Sequence, residues 1–363
     1  MEFLKDVEKV KISSSSMQVW ITDIFKTLGM SEEDSVITTN NLVSADLRGV
    51  YSHGVMRVPI YAQRLQKKVT DPAGKPEIVR DIKATALVDG NNAMGQVAGK
   101  YAMDIAAQKA KQYGIGYVAV KGSNHYGASA YFAMMVLSEN MIGMTGTISG
   151  VNSMAPWGGT DGRLGNNPFS IAIPALTKDP IVLDMAHSVV ARGKIVLASK
   201  TKQPIPEDWA LAPDGRPTTD PVQAYHGTVQ PIGGYKGYGM TLVTGLLSTM
   251  LSGAAFGKDV TDLYEDFRTP QDVGHYMQAI NISAFTDPEI FKARVDQAIN
   301  YMHNSPKAKG VKEILVPGEL EARKERKQLK EGIEYPVSVV DELKILSREL
   351  GVQPAMDIEE EEK

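Results

Sequence analysis

Residues 114–119 read GIGYVA, and Gly114, Gly116 and Ala119 fill the G-x-G-x-x-A spacing of a dinucleotide-binding turn. In a Rossmann unit that turn leaves a strand and opens a helix, so that the helix N-terminus faces the pyrophosphate. Here the order is reversed. A helical pattern from about Gly95 to Tyr113 precedes the glycines and a β-like run, GYVAVK at 116–121, follows them. The glycines are read as a helix stop, so any nicotinamide cofactor would have to be bound without the Rossmann device.

The length of 363 residues suits two lobes, or three with a short insert, and 43% apolar with 23% charged residues describes a globular protein. The net charge is −4, Lys and Arg are spread along the chain, and residues 357–363 read DIEEEEK, so no nucleic-acid partner is expected. Cysteine is absent, which excludes disulfides, Cys-ligated zinc, iron–sulfur clusters and thiol nucleophiles. Histidines at 53, 125, 187, 226, 275 and 303 form neither H-E-x-x-H nor an i, i+4 pair, so no metal site is expected. G-x-S-x-G and G-x-x-x-x-G-K-[ST] do not occur, which removes the commonest hydrolase and P-loop signals. MEFLKDVEKVK has no signal-peptide h-region, and the most apolar run, MTLVTGLLSTMLSGAAFG at 240–257, is broken by Thr, Ser and Gly. That run is expected to be a buried helix rather than a membrane span, and the protein to be cytoplasmic.

Along the chain, Ser15 with Gln18 makes a capping box that predicts a helix over 16–28, stopped by Gly29. Ser31, followed by Glu32, Glu33 and Asp34, predicts a second helix running to Gly49. DPAGKPEIV at 71–79 marks a boundary near residue 73. Beyond it, predicted strands at 116–121, 141–149, 168–174, 180–186 and 275–285 are interspersed with helices at 95–113, 127–139, 188–200, 237–252 and 287–304. Residues 203–220 hold four prolines and read as an irregular excursion, and a charged helix, ELEARKERKQLKEG, and a short one near 340–349 close the chain. The fold class is α/β in the mixed α+β sense.

RGVYSHGVMRVPIY, at 48–61, carries His53, Arg57 and Tyr61 at four-residue spacing. On a helix they would share a face, presenting a proton carrier, a bidentate carboxylate anchor and a hydroxyl, which suits a small acid substrate. Equally, Ser52 could cap a helix with a polar face that Pro59 kinks or restarts. SNHYG places His125 in a loop between a strand end and a helix start. Asp184, in VLDMAHSVVARGK, sits at a strand's C-terminal end, where it can accept ribose hydroxyls or cap a helix. PIGGYKGYGM surrounds Lys236 with glycines that permit close approach of a phosphate or ribose, or a mobile loop with a solvated lysine.

Taken in order, ADLRGVYSHGVMRVPIY, SNHYG, GNNPFSIAIP, LDMAHSVVARGKI, PEDWALAPDGRPTTDP, GGYKGYGM and VPGE resemble the type 2 malate/L-lactate dehydrogenase family of NAD(P)-dependent oxidoreductases, over about residues 14–350. The resemblance implies a non-Rossmann cofactor domain with a mixed, largely antiparallel sheet (73–188 with 262–315). It also implies a helical domain formed by both termini (1–72 with 316–363), a small helical insert (189–261), and a homodimer with its active sites at the interface. His53 and His125 are the two acid/base candidates it offers, and Arg57 the grip on the substrate carboxylate, with Ser52 and Tyr61 nearby. Ser149, the segment Asp184, Met185, Ala186, His187, Ser188, Val189 and Val190, together with Tyr235, Lys236, Gly318 and Glu319, would contact the cofactor. The implied reaction transfers a hydride between NAD(P) and a small 2-hydroxy acid such as malate or lactate. The alternatives are a ureidoglycolate or sulfolactate dehydrogenase, a reductase of a 2-oxo or cyclic imino acid such as diketogulonate or piperideine carboxylate, and a non-catalytic NADH-binding homologue. Asp184 would favour NAD over NADP if it lies beside the 2′-hydroxyl, by repelling a 2′-phosphate.

Overall fold

The computed structural model describes residues 8–354, so the acidic tail at 357–363 lies outside them. Its strands are β1 (Lys9–Ile12), β2 (Glu77–Ile82), β3 (Thr85–Asp89), β4 (Ile115–Ser123), β5 (Met141–Thr147), β6 (Phe169–Ile173), β7 (Ile181–Met185), β8 (Ala210–Leu211), β9 (Thr228–Val229), β10 (Val273–Asn281) and β11 (Ile333–Pro336). The helices are α1 (Ser14–Thr27), α2 (Glu32–Leu47), α3 (Val58–Gln66), α4 (Gly95–Tyr113), α5 (Ser129–Met134), α6 (Arg192–Thr201), α7 (Pro221–His226), α8 (Tyr235–Thr249), α9 (Pro288–His303), α10 (Glu319–Glu331) and α11 (Val337–Leu350).

The glycines of GIGYVA have the structural roles their order suggests. Gly114 ends α4 in the left-handed conformation at φ +84, and a Cβ on Gly116 would lie 2.0 Å from the Ala106 carbonyl, so only glycine lets β4 pass this close beneath α4. β4 belongs to a seven-stranded sheet in the order β2-β3-β4-β10-β5-β6-β7, in which the β3–β4 pairing is parallel and the other five are antiparallel. Val273 to Met277 are buried in unbroken succession along β10, the mark of a strand covered on both faces, and α4 and α8 both pack against it.

Four helices, α1, α2, α3 and α11, build a separate apolar cluster around the fully buried Trp20, whose indole Nε1 donates to Ser347 Oγ at 2.8 Å. Ser13 rather than Ser15 caps α1, because Ser13 holds the extended backbone that lets its hydroxyl accept the Ser16 amide at 3.0 Å. Ser31 caps α2 as its sequence indicates, accepting the Asp34 amide at 3.1 Å. β1 and β11 pair antiparallel, Ile12 against Ile333, and stitch the two ends of the described chain together. Neither short strand was expected, since KVKI and IEYP are too brief and too charged to stand out.

A third cluster joins Met154, Val190, Ile195, Ile205, Ala210 and Val229, so Ile205 and Ala210 anchor the proline-rich excursion to apolar residues before and after it in the chain. The run at 240–257 differs from expectation. It forms α8 and its exit, yet Met240, Val243, Leu246, Leu247, Met250 and Leu251 are all exposed. Among the described residues no helix is long and apolar enough to cross a membrane.

Candidate active site

The segment 48–61 is not one helix. Tyr51–His53 and Val55–Arg57 form two successive 3₁₀ turns, and α3 begins only at Val58 with Pro59 in its first turn, where a missing amide hydrogen costs nothing. His53, Arg57 and Tyr61 therefore do not share a helical face; the turns bring them together instead. Arg57 Nε donates to the Ser52 carbonyl at 2.7 Å, folding the guanidinium back over the turn, and Ser52 Oγ lies 2.9 Å from His53 Nδ1. Across the cleft, β4 ends at Ser123 and delivers His125, whose ring stacks on His53 with centroids 5.7 Å apart and planes 21° from parallel. The Tyr61 hydroxyl meets His125 Nδ1 at 2.6 Å.

Three residues that the sequence did not flag complete the cluster. Gln96 Nε2, from the first turn of α4, donates to the Tyr61 hydroxyl at 3.4 Å, and Gln271 Oε1 accepts the His125 amide at 3.1 Å. Tyr264 lies under Arg57, whose Cζ sits 5.5 Å from the ring centroid and whose Nη1 donates to the Tyr264 hydroxyl. None carries a local signal, because each arrives from a distant part of the chain.

Burial pushes His53 down to about 4, and the nearby Arg57 charge adds to it. His125 is lowered well below the usual histidine range by burial first, then by His53, Arg57 and His275. Tyr61 is pushed up to about 12 by burial. Near neutral pH the cleft therefore presents two neutral imidazoles beside one guanidinium, an arrangement able to exchange a proton next to a bound carboxylate.

The remaining expected residues are spread over separate places. Ser149 lies just beyond β5 and packs against the GNNP turn: its amide donates to Asn167 Oδ1 at 3.1 Å, and a Cβ on Gly165 would stand 2.3 Å from Ser149 Cβ. Asp184 and Gly318 line a cavity of about 320 Å³ together with Arg48, Val50, Ala130 and Glu321. That volume is in the range of small-ligand sites, and its lining includes Val50, which directly precedes the Tyr51–His53 turn, and Ala130 of α5. Asp184 is exposed through the cavity mouth yet enclosed enough that burial pushes its carboxyl up to about 6. Gly318 holds φ +94, with Val182 filling the space a Cβ would need. Glu319 is engaged internally: it contacts His303 Nε2 at 3.0 Å and accepts the Val316 amide at 3.0 Å.

Met185 to Val190 lead from β7 towards α6, and within them His187 is fully buried and stacks on Phe169 at 5.2 Å. Burial lowers the His187 imidazole below the usual histidine range against the opposing Asn167 backbone, and Ser188 Oγ has no protein partner among the described residues. Tyr235 and Lys236 open α8 and are exposed, and Tyr235 meets Trp157 edge-on at 6.4 Å. Among the described residues no group of three or more His, Asp or Glu is arranged to hold a metal ion.

Residues 12–344 match the malate/L-lactate dehydrogenase family. The chain is 40% identical over 335 residues to the L-sulfolactate dehydrogenase of Methanocaldococcus jannaschii, a match covering 92% of this chain and 95% of that one. It is 38% identical over 359 residues to the malate dehydrogenase of Pyrococcus abyssi, covering 96% and 97%. The solved structure of the M. jannaschii sulfolactate dehydrogenase aligns with a TM-score of 0.89 at 38% identity, over 95% of this chain and 98% of that one. Relatives at 32% identity are named for either cofactor, a ureidoglycolate dehydrogenase (NAD+) from Escherichia coli K12 and a (2R)-3-sulfolactate dehydrogenase (NADP+) from Chromohalobacter salexigens. With a mostly antiparallel sheet in place of a Rossmann unit and a match running through nearly every element described, the chain belongs to the malate/L-lactate dehydrogenase family.

Proposed function

We propose that the protein transfers a hydride between a nicotinamide cofactor and a small 2-hydroxy acid, interconverting it with the 2-oxo acid. The observation that carries this reading is the stack of His53 on His125 with Arg57 beside it. A 2-hydroxy acid needs a carboxylate anchor and a proton acceptor held a few ångströms apart, and preorganising them removes most of the orientational cost of reaction. Arg57 holds the carboxylate, Ser52 and Tyr61 flank it, and His53 or His125 takes the hydroxyl proton. The bound nicotinamide ring supplies the hydride acceptor.

One hydrogen-bond chain favours reduction as a second reading of the same site. Gln96 donates to the Tyr61 hydroxyl, which leaves the Tyr61 proton for His125 Nδ1 and puts the imidazole proton on Nε2. That tautomer presents an Nε2–H donor to the oxygen of a 2-oxo acid or the nitrogen of a cyclic imine, and the Tyr61 proton can pass to Nδ1 as the Nε2 proton is given up. Rates measured with NAD and NADP against hydroxy, oxo and imino acids separate the two directions, and flat traces across the whole panel would remove both in favour of a non-catalytic NADH-binding protein.

For the cofactor, NAD is preferred. Asp184 and Glu321 both line the cavity, and its one guanidinium, Arg48, is already paired with Glu325 at 3.0 Å, so a 2′-phosphate there would meet two carboxylates while the 2′-hydroxyl of NAD could donate to one of them. Ser149, the segment 184–190 and Gly318 are proposed to line the cofactor's path, with Tyr235 and Lys236 reaching its phosphates from the N-terminus of α8. Glu319 is proposed to act through the shape of the VPGE turn. The protein is further proposed to be a cytoplasmic homodimer, because Val243, Leu246, Leu247 and Met250 form an exposed apolar stripe at helical spacing along α8 that a second copy would cover.

A further inference from the structure

Asp46 is 1% exposed, near the end of α2, and among the described residues no Lys or Arg pairs with it. Its Oδ2 accepts two hydrogen bonds, from the Val55 amide at 2.9 Å and from the Tyr335 hydroxyl at 3.1 Å. Val55 opens the second 3₁₀ turn, midway between His53 and Arg57. Gly54 passes so close that a Cβ there would lie 1.7 Å from Asp46 Oδ1. Gln328 of α10 donates to the Asp46 and Leu47 carbonyls at 2.8 and 2.7 Å and accepts the Tyr51 hydroxyl at 2.8 Å. The turn is thus gripped at Tyr51, Gly54 and Val55 by groups that lie away from the His53–His125 cleft.

We propose that Asp46 and Tyr335 are positioning residues, which fix the double turn so that His53 and Arg57 face the same substrate, with β11 of the C-terminal segment as the outer half of the clamp. The role requires an acceptor oxygen rather than a charge. Burial pushes the Asp46 carboxyl up to about 8 in spite of its two donors, so a neutral side chain already does the work at pH 7. The proposal rests on the reading that His53 and Arg57 act on substrate, and it adds that their geometry is imposed from α2 and β11.

The test uses the full chain with Asp46→Ala, Asp46→Asn and Tyr335→Phe, reading steady-state constants, NADH affinity by fluorescence and the His53 ring signal by NMR. Asp46→Ala is expected to lower kcat/KM about tenfold or more, with KM rising and kcat falling together, while NADH affinity stays within about twofold. The His53 titration midpoint should move up from about 4 towards the ordinary value as the loosened turn lets water in. Asp46→Asn should restore both readouts, since its amide oxygen can accept the Val55 and Tyr335 hydrogens. Wild-type constants and an unmoved His53 midpoint in Asp46→Ala overturn the clamp, as does an Asp46→Asn defect as large as that of alanine. A merely structural role would lower Tm and leave the constants per folded site unchanged. If Asp46→Ala does not fold, Tyr335→Phe decides: reduced kcat/KM with normal NADH affinity supports the clamp, and unchanged constants refute it. An inactive wild type would sink the functional reading alone, because the His53 midpoint reports the clamp without turnover.

Discussion

Replacing Arg57 with alanine is the most direct challenge to the proposed chemistry. The guanidinium is already half committed: Nε holds the Ser52 carbonyl at 2.7 Å, Nη1 holds the Tyr264 hydroxyl, and Nη2 has no protein partner among the described residues. A substrate carboxylate would take that free edge. A charge-assisted hydrogen bond contributes about 1.5–3 kcal/mol, and at about 1.4 kcal/mol per tenfold its loss lowers kcat/KM about 10- to 150-fold. Most of this should appear as a higher KM, because the carboxylate is bound alike in ground and transition states. The variant also releases the Ser52 carbonyl and so disturbs His53, which Arg57→Lys tests separately by keeping the charge and losing the planar fork. The assay is the initial rate of NADH appearance with a 2-hydroxy acid and with its uncharged amide. Wild type should strongly prefer the acid, and Arg57→Ala should erase most of that preference. An unchanged KM for the acid, or an equal loss on acid and amide, refutes the anchor.

His53 is pushed down to about 4 in the folded protein, below the ordinary 6.5, so the fold favours its neutral form. This contributes stability that is present above about 6.5 and lost as pH falls through about 4. If His53 is the base, the acid limb of kcat/KM should then lie near 4 to 5 in a pH–rate series, and a limb at 6.5 would contradict the burial. Tyr61→Phe leaves His125 Nδ1 and Gln96 Nε2 without their shared partner in a buried site and should cost about 1–3 kcal/mol in a denaturant titration, with turnover falling as the tautomer is freed. Gly54→Ala drives a methyl into Asp46 and should cut kcat/KM about tenfold or more while NADH still binds. If the proposed homodimer forms through α8, Val243→Glu on its exposed face should shift sedimentation from dimer to monomer; a wild type that sediments as a monomer refutes the dimer, and a variant that stays dimeric moves the interface elsewhere.

The parts of this molecule that could be read from its residues are those governed by local rules. The helix over 95–113, its left-handed glycine stop, the Ser31 cap and the strands β4, β5, β6, β7 and β10 follow from periodicity and punctuation that act within a few residues, whereas the edge strand β2 was not foreseen. The same rules fail where partners are remote. Four-residue spacing suggested a helical face for His53, Arg57 and Tyr61, but Asp46 and Gly54 hold that stretch as two tight turns, and the convergence comes from tertiary contact. Gln96, Tyr264 and Gln271 reach the cleft from distances along the chain that no motif spans, and β1 with β11 gain their meaning only when paired. The apolar run over 240–257 was read as interior because hydrophobicity measures the wish to be covered without naming what covers it.

The same distinction explains why α3 carries two buried polar residues where a helix of nine residues could have used apolar ones. Tyr61 points to His125, and one turn on, Arg64 is 1% exposed and spends its guanidinium on backbone carbonyls, with Nη1 reaching Asp266 at 2.8 Å and Leu263 at 3.3 Å and Nη2 reaching Thr269 at 3.4 Å. Those carbonyls belong to the irregular segment that presents Tyr264 to Arg57. A loop of that kind has little apolar surface with which to fix itself, and a planar donor fork holding several of its carbonyls at once restricts it more than any single contact could. α3 therefore sets both walls of the proposed carboxylate pocket: it orients His125 through Tyr61, and it holds the partner of Arg57 through Arg64. Arg64 shares that task with the Asp262 carboxylate, which accepts the Tyr264 amide at 2.7 Å, and with the buried Leu263 beside it, so its own burial cost is offset by carbonyls that must be satisfied in any case.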